Sequence, residues 1–222
     1  MKRIDIFPHN LLFKQPAGTS RGIYTEHKIW LLRMTDDLIP NQYGWGEVAP
    51  LPKLSCDDVP DFEDMLYKTC KEFNGKIDYN ALKEYPSILF GLECALDDFN
   101  AHHCPLYNTP FAKGEESITI NGLIWMGSYE EMKHRIEEKL SAGFHCIKIK
   151  IGAIDFEKEY SLLSQIRSDF SAKEITLRVD ANGGFSPQEA MEKLDRLAKL
   201  DIHSIEQPIK AGQWSTMADL CK

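Results

Sequence analysis

The chain has 222 residues and a formal net charge of −8, from 26 Lys+Arg against 34 Asp+Glu. Its 43% apolar, 27% charged and 10% aromatic content is that of a globular protein, with length for one large domain or two small ones, and excludes disordered, collagenous and coiled-coil classes. The acidic balance argues against nucleic acid as a partner, and no apolar run approaches the roughly 18 residues that span a bilayer.

Residues 1–13 are interrupted by Asp5, Pro8 and His9 and do not read as a signal peptide. Residues 23–34 and 43–48 read as strands, with residues 1–13 able to pair with them. Between them, two glycines and a proline in residues 15–22 mark a mobile loop. Trp30 and Trp45 are expected in the core of this sheet. Residues 57–73 turn helical, with Pro60 expected in the first turn, where a missing N–H costs nothing. Residues 86–103 form a second helix with Leu89, Leu92, Leu96 and Phe99 as its apolar stripe, and His102 and His103 at its carbonyl end. Residues 1–115 therefore read as an antiparallel sheet followed by helices, an α+β unit.

After residue 116 the pattern changes. Strands over residues 117–124, 145–151, 174–179 and 202–206 alternate with helices opening near Ser128, Asp155, Ser186 and Trp214. Ser128/Glu131 and Ser186/Glu189 have the spacing of capping boxes. Such alternation predicts parallel strands with crossover helices, as an open sheet or a barrel. No Gly-rich phosphate loop follows any of these strands, which disfavours a nucleotide-binding sheet. The six cysteines (Cys56, Cys70, Cys94, Cys104, Cys146 and Cys221) form no C-x-x-C pair and read as free thiols of a reducing, cytoplasmic compartment.

In Cys146-Ile-Lys-Ile-Lys-Ile151, side-chain alternation sends Ile147, Ile149 and Ile151 to one face and Lys148 and Lys150 to the other. In a parallel sheet covered on both faces, such lysines need a partner or a function. The next strand places Thr176, Arg178, Asp180 and Asn182 on one face, with Asp180 at the C-terminal end, where ligands bind in parallel folds. Glu206 ends the following strand. Salt bridging of Lys148 and Lys150 to Asp180 and Glu206 is one reading, though buried ion pairs stabilise weakly. The other is a hard oxygen site suited to Mg²⁺, which would assist removal of a proton alpha to a carboxylate. A lysine held near cations has a depressed pKa and can serve as the base.

The runs Lys148-Ile-Lys150, Arg178-Val-Asp-Ala-Asn182 and Ile205-Glu-Gln-Pro208 resemble the muconate-lactonizing subgroup of the enolase superfamily, where a Lys base and Mg²⁺ act on an enediolate. Gly44-Trp-Gly-Glu-Val-Ala-Pro-Leu-Pro52, Glu206-Gln-Pro-Ile-Lys-Ala-Gly-Gln-Trp214 and the loop at residues 18–22 are similar to the o-succinylbenzoate synthase family, and the likeness covers essentially the whole chain. The resemblance implies an enolase-like capping domain over residues 1–115. Residues 116–222 would then form roughly the first half of a modified TIM barrel, about four strand-helix units, with the remainder absent. It implies Lys150 as the base and Lys148 beside it. Asp180 and Glu206 become two of three ligands to Mg²⁺, or to Mn²⁺ in its place, and Asn182 a hydrogen-bonding neighbour. The third ligand and an opposing lysine are expected beyond Lys222. Thr19, Ser20, Arg21 and Leu51 fall on loops that close over a small carboxylate substrate. The implied activity is dehydration of 2-succinyl-6-hydroxy-2,4-cyclohexadiene-1-carboxylate to o-succinylbenzoate in menaquinone biosynthesis. The alternatives are N-acylamino acid racemisation or dipeptide epimerisation on the same scaffold, or an inactive fragment.

Overall fold

The computed structural model describes residues 1–19, 22–102 and 106–222. It resolves into two compact units, the first holding most of residues 1–118 and the second Thr119–Lys222. Ser20, Arg21, His103 and Cys104 lie outside the described residues.

The first unit contains strands β1 (Lys2–Thr19), β2 (Gly22–Asp36) and β3 (Tyr43–Val48), in the order β1-β2-β3, and helices α1 (Phe62–Lys71) and α2 (Pro86–Ala101). Antiparallel pairing sets Trp30 opposite Val48, Leu32 opposite Gly46 and Met34 opposite Gly44. These β2 residues alternate onto one buried face, and α2 covers it with Ile88, Leu92, Ala95 and Phe99. A Cβ on Gly46 would lie 1.9 Å from Gly91 O, and one on Gly44 2.2 Å from Phe99 N. Only glycine lets the backbone of α2 rest directly on β3.

Four expectations change here. The segment assigned to a mobile loop is largely strand, because β1 continues to Thr19; β1 is an edge strand, where Pro16 is tolerated. Pro60 precedes α1 instead of sitting in its first turn. Asp57 is fully buried and committed to capping α2, accepting from Ser87 N (2.7 Å) and Ser87 Oγ (3.0 Å), so the helix starts later. The stripe of α2 is centred on Ile88, Leu92, Ala95 and Phe99, with Leu89 and Leu96 only half-buried. Trp30 is buried, but Trp45 is 40% exposed. Gly44, Gly46 and Val48 occupy the inner face of β3, so Trp45 points outward onto Phe7 and Tyr43.

The second unit has four parallel strands in the order β4-β5-β6-β7: β4 (Gly122–Ile124), β5 (Cys146–Lys150), β6 (Thr176–Asp180) and β7 (Ser204–Glu206). Each is followed by a helix: α3 (Tyr129–Ser141), α4 (Phe156–Asp169), α5 (Pro187–Ala198) and α6 (Trp214–Leu220). Ile147, Ile149, Leu177 and Val179 form one sheet face and pack against Met132, Ile136, Leu162, Leu163 and Ile166 of the helices. Ser128 and Glu131 close a full capping box. The second predicted box is incomplete. The Ser186 hydroxyl donates to Glu189 Oε2 (2.6 Å) and does not accept the Glu189 N–H. No helix of the described residues is long and apolar enough to cross a membrane.

Candidate active site

The face of the second sheet opposite Ile147 and Ile149 carries Lys148, Lys150, Asp180 and Glu206. Parallel register makes Lys150 the partner of Asp180, and Asp180 the partner of Glu206. The alternation that buries Ile147, Ile149 and Ile151 thus aligns two lysines with two carboxylates across three strands.

Their contacts are tight. Lys148 Nζ donates to Glu206 Oε2 at 2.5 Å and lies 3.4 Å from Asp180 Oδ2. Lys150 Nζ donates to Asp180 Oδ2 (3.2 Å) and to Asn182 Oδ1 (3.1 Å). Asp180 Oδ1 accepts from Asn182 N (3.0 Å) and from Asn182 Nδ2. Asp180 is the buried centre, with a side chain 3% exposed, whereas that of Glu206 is 62% exposed.

Backbone geometry sets these positions. Asn182 and Gln207, just past the ends of β6 and β7, both adopt left-handed φ values, 46° and 43°. Non-glycine residues in this region are uncommon and cluster at functional sites. The two turns are tied together by Ala181 N donating to Glu206 O (3.0 Å) and Gly183 N donating to Gln207 O (2.7 Å).

Burial pulls the Asp180 carboxyl upward, but the Asn182 N–H and the ammonium groups of Lys150 and Lys148 outweigh it and hold the group below its ordinary value. The hydrogen bond to Glu206, opposed by desolvation and reinforced by Asp180, raises Lys148 above the ordinary lysine value. The nearest charges to Lys148 are carboxylates, and they favour its charged form.

The residues fit a hard divalent cation. The ammonium of Lys148 bridges Asp180 and Glu206, so the two carboxylates already converge on one positive point. Oxygen donors of this kind suit Mg²⁺. Among the described residues, no group of three or more His, Cys, Asp or Glu side chains is placed to hold a metal.

Leu51, predicted on a substrate loop, lies in an ordered turn of the first unit. Its N–H donates to Ser55 Oγ (2.9 Å), while Tyr24 OH donates to Pro52 O (2.6 Å) and His27 Nε2 to Pro50 O (3.2 Å). Thr19 ends β1.

Sequence reasoning missed Glu159. It is buried, on the core stripe of α4 with Leu162, Leu163 and Ile166, and accepts hydrogen bonds from the turn that follows β5. A charged residue at core spacing was the available signal.

Two family models match the chain: "MenC, N-terminal domain" over residues 1–99 and "Enolase C-terminal domain-like" over residues 131–222. The α+β unit followed by a parallel β/α unit is the architecture of an enolase-superfamily protein. The o-succinylbenzoate synthase of Desulfotalea psychrophila is 39% identical over 96% of this chain and 66% of its own length. The crystal structure of MenC from that organism superposes with a TM-score of 0.76 at 33% identity, covering 99% of this chain and 68% of that one. The chain belongs to the o-succinylbenzoate synthase (MenC) family of that superfamily. The L-Ala-D/L-Glu epimerase of Bacillus subtilis is 29% identical over 85% of this chain and 54% of its own length. The o-succinylbenzoate synthase of Thermosynechococcus elongatus, solved with Mg in its active site, shares the fold (TM-score 0.72, 21% identity, 99% of this chain and 65% of that one). The chain thus spans between 54% and 66% of the length of these two curated relatives.

Proposed function

We propose that the protein is a metal-dependent lyase that dehydrates 2-succinyl-6-hydroxy-2,4-cyclohexadiene-1-carboxylate to o-succinylbenzoate, a step of menaquinone biosynthesis. The observation that carries this reading is the in-register row in which Lys148 bridges Asp180 and Glu206 while Lys150 rests on Asp180 and Asn182.

Asp180 and Glu206 would hold the cation, with Asn182 keeping the Asp180 carboxylate oriented. Bound Mg²⁺ supplies positive charge that stabilises the enediolate as it forms. Lys150, in its neutral form, takes the alpha proton. The C–H bond breaks, its electron pair moves toward the carboxylate, and the proton stays on Nζ. The C–O bond to the ring hydroxyl then breaks, the electrons form the new ring double bond, and Lys150 returns its proton to the departing hydroxyl as water. Lys148 binds the substrate carboxylate and contributes positive charge next to the base. Thr19, Ser20, Arg21 and Leu51 are proposed to recognise the rest of the substrate.

A second reading, dipeptide epimerisation, is favoured by the likeness to the Bacillus subtilis epimerase. Assaying the full-length protein with Mg²⁺ against the cyclohexadiene substrate and against L-Ala-L-Glu separates them. Dehydration is the expected result; epimerisation without dehydration overturns the first reading in favour of the second.

A further inference from the structure

Glu159 is the buried carboxylate that the mechanism above leaves unused. It is 2% exposed and lies among the apolar side chains of α4. Burying a carboxylate there is costly unless its oxygens are filled. They are filled by backbone: Gly152 N donates to Oε1 and Oε2 (2.8 and 2.9 Å), and Ala153 N (3.2 Å) and Ile154 N (3.3 Å) donate to Oε1. Three successive N–H groups of the turn after Lys150 therefore converge on one side chain of the next helix.

That turn leans on the other site loops. Gly152 has φ +87°, and a Cβ there would lie 2.9 Å from Ala181 O and 3.2 Å from Gly184 Cα. A Cβ on Gly184 would lie 3.0 Å from both Gly152 Cα and Gly152 O. Ala181 and Gly184 flank the turn holding Asn182, and Gly183 is bonded to Gln207, beside Glu206. Ile151 N donates to Asp180 O (2.8 Å). Contacts run without a break from Glu159 to the strand ends bearing Lys150, Asp180 and Glu206.

We infer that Glu159 is a positioning residue of the site: by pinning the turn at residues 152–154 against the turn at residues 181–184, it fixes the Lys150 ammonium relative to Asp180 and Asn182. The inference rests on the reading of Lys150 as the working lysine, and its readouts do not depend on turnover.

The test combines amide hydrogen exchange with competitive acylation of lysines, in the wild type, E159Q and E159D. In the wild type, the amides of residues 152–154 are expected to exchange at least about a hundredfold more slowly than free-peptide amides. E159Q, whose amide turns an N–H toward N–H donors, should speed their exchange about tenfold or more, because one acceptor oxygen is lost. It should also raise acylation of Lys150 severalfold relative to exposed Lys173, and E159D should restore most of both. Unprotected amides in the wild type overturn the inference. So does an E159Q protein that melts earlier but keeps the Lys150:Lys173 acylation ratio, which is the behaviour of a residue that only stabilises. If E159Q does not fold, E159D decides: faster exchange at residues 152–154 together with a raised Lys150:Lys173 ratio supports the inference, and faster exchange with an unchanged ratio overturns it. A failed dehydratase assay with these readouts intact would refute the proposed function and leave the positioning role standing.

Discussion

Asp180 holds two ammonium groups at once, and the D180N variant measures what that arrangement contributes. Its Oδ2 lies 3.2 Å from Lys150 Nζ and 3.4 Å from Lys148 Nζ. At an effective dielectric of about 20, each attraction is about 5 kcal/mol before desolvation. The lysine side chains are 20% and 23% exposed, so solvent recovers part of this. Removing one partner of a buried pair typically costs about 3–5 kcal/mol, and the partial exposure places D180N near 3 kcal/mol. Asparagine keeps the shape but leaves Lys148 with Glu206 as its one carboxylate partner among the described residues and Lys150 with the uncharged Asn182. Urea unfolding followed by circular dichroism at pH 7 gives the loss directly. The K148M/D180N double variant should recover at least about 1 kcal/mol relative to additivity, since one stranded charge is removed. A D180N protein as stable as wild type, or a strictly additive double variant, would refute the electrostatic account of the cluster.

Three further outcomes follow from the same structure. G46A should lose about 2 kcal/mol or more, because its methyl would meet Gly91 O at 1.9 Å and push α2 off β3; a shift in thermal midpoint checks it. Burial pushes the Cys70 thiol up to about 12, so iodoacetamide at pH 8 should label exposed Cys56 and Cys221 while sparing Cys70 until urea is added, as read by peptide mass spectrometry. Because the Asp180 carboxyl is held below its ordinary value of 3.8, its contribution is fully present above that pH and is lost as the pH falls through the lowered value. Stability of wild type should therefore drop below pH 3.8 more steeply than that of D180N, and equal acid sensitivity would contradict this.

Much of the second unit was legible in the chain because its signals are local. Period-two alternation in residues 146–151 gave the inward lysines, and the regular return of strands and helices gave parallel register, which puts Lys150, Asp180 and Glu206 in one row. The first unit was harder. Its glycines read as ordinary strand residues, yet Gly44 and Gly46 decide which face of β3 meets α2 and so turn Trp45 outward. Pro16 and Gly18 suggested a loop because composition does not reveal that their strand lies at an edge. Glu159 escaped notice because its partners are backbone N–H groups, which no side-chain motif records.

Lys150 is proposed to remove the alpha proton at a site built with Asp180 and Glu206. Steady-state dehydration of the cyclohexadiene carboxylate by the full-length protein with Mg²⁺, wild type against a folded K150M variant, tests it most directly. The expected result is a fall in kcat of at least about a thousandfold, within the range lost with a general base. A K150M enzyme that keeps kcat within about tenfold of wild type, below that range, would contradict it.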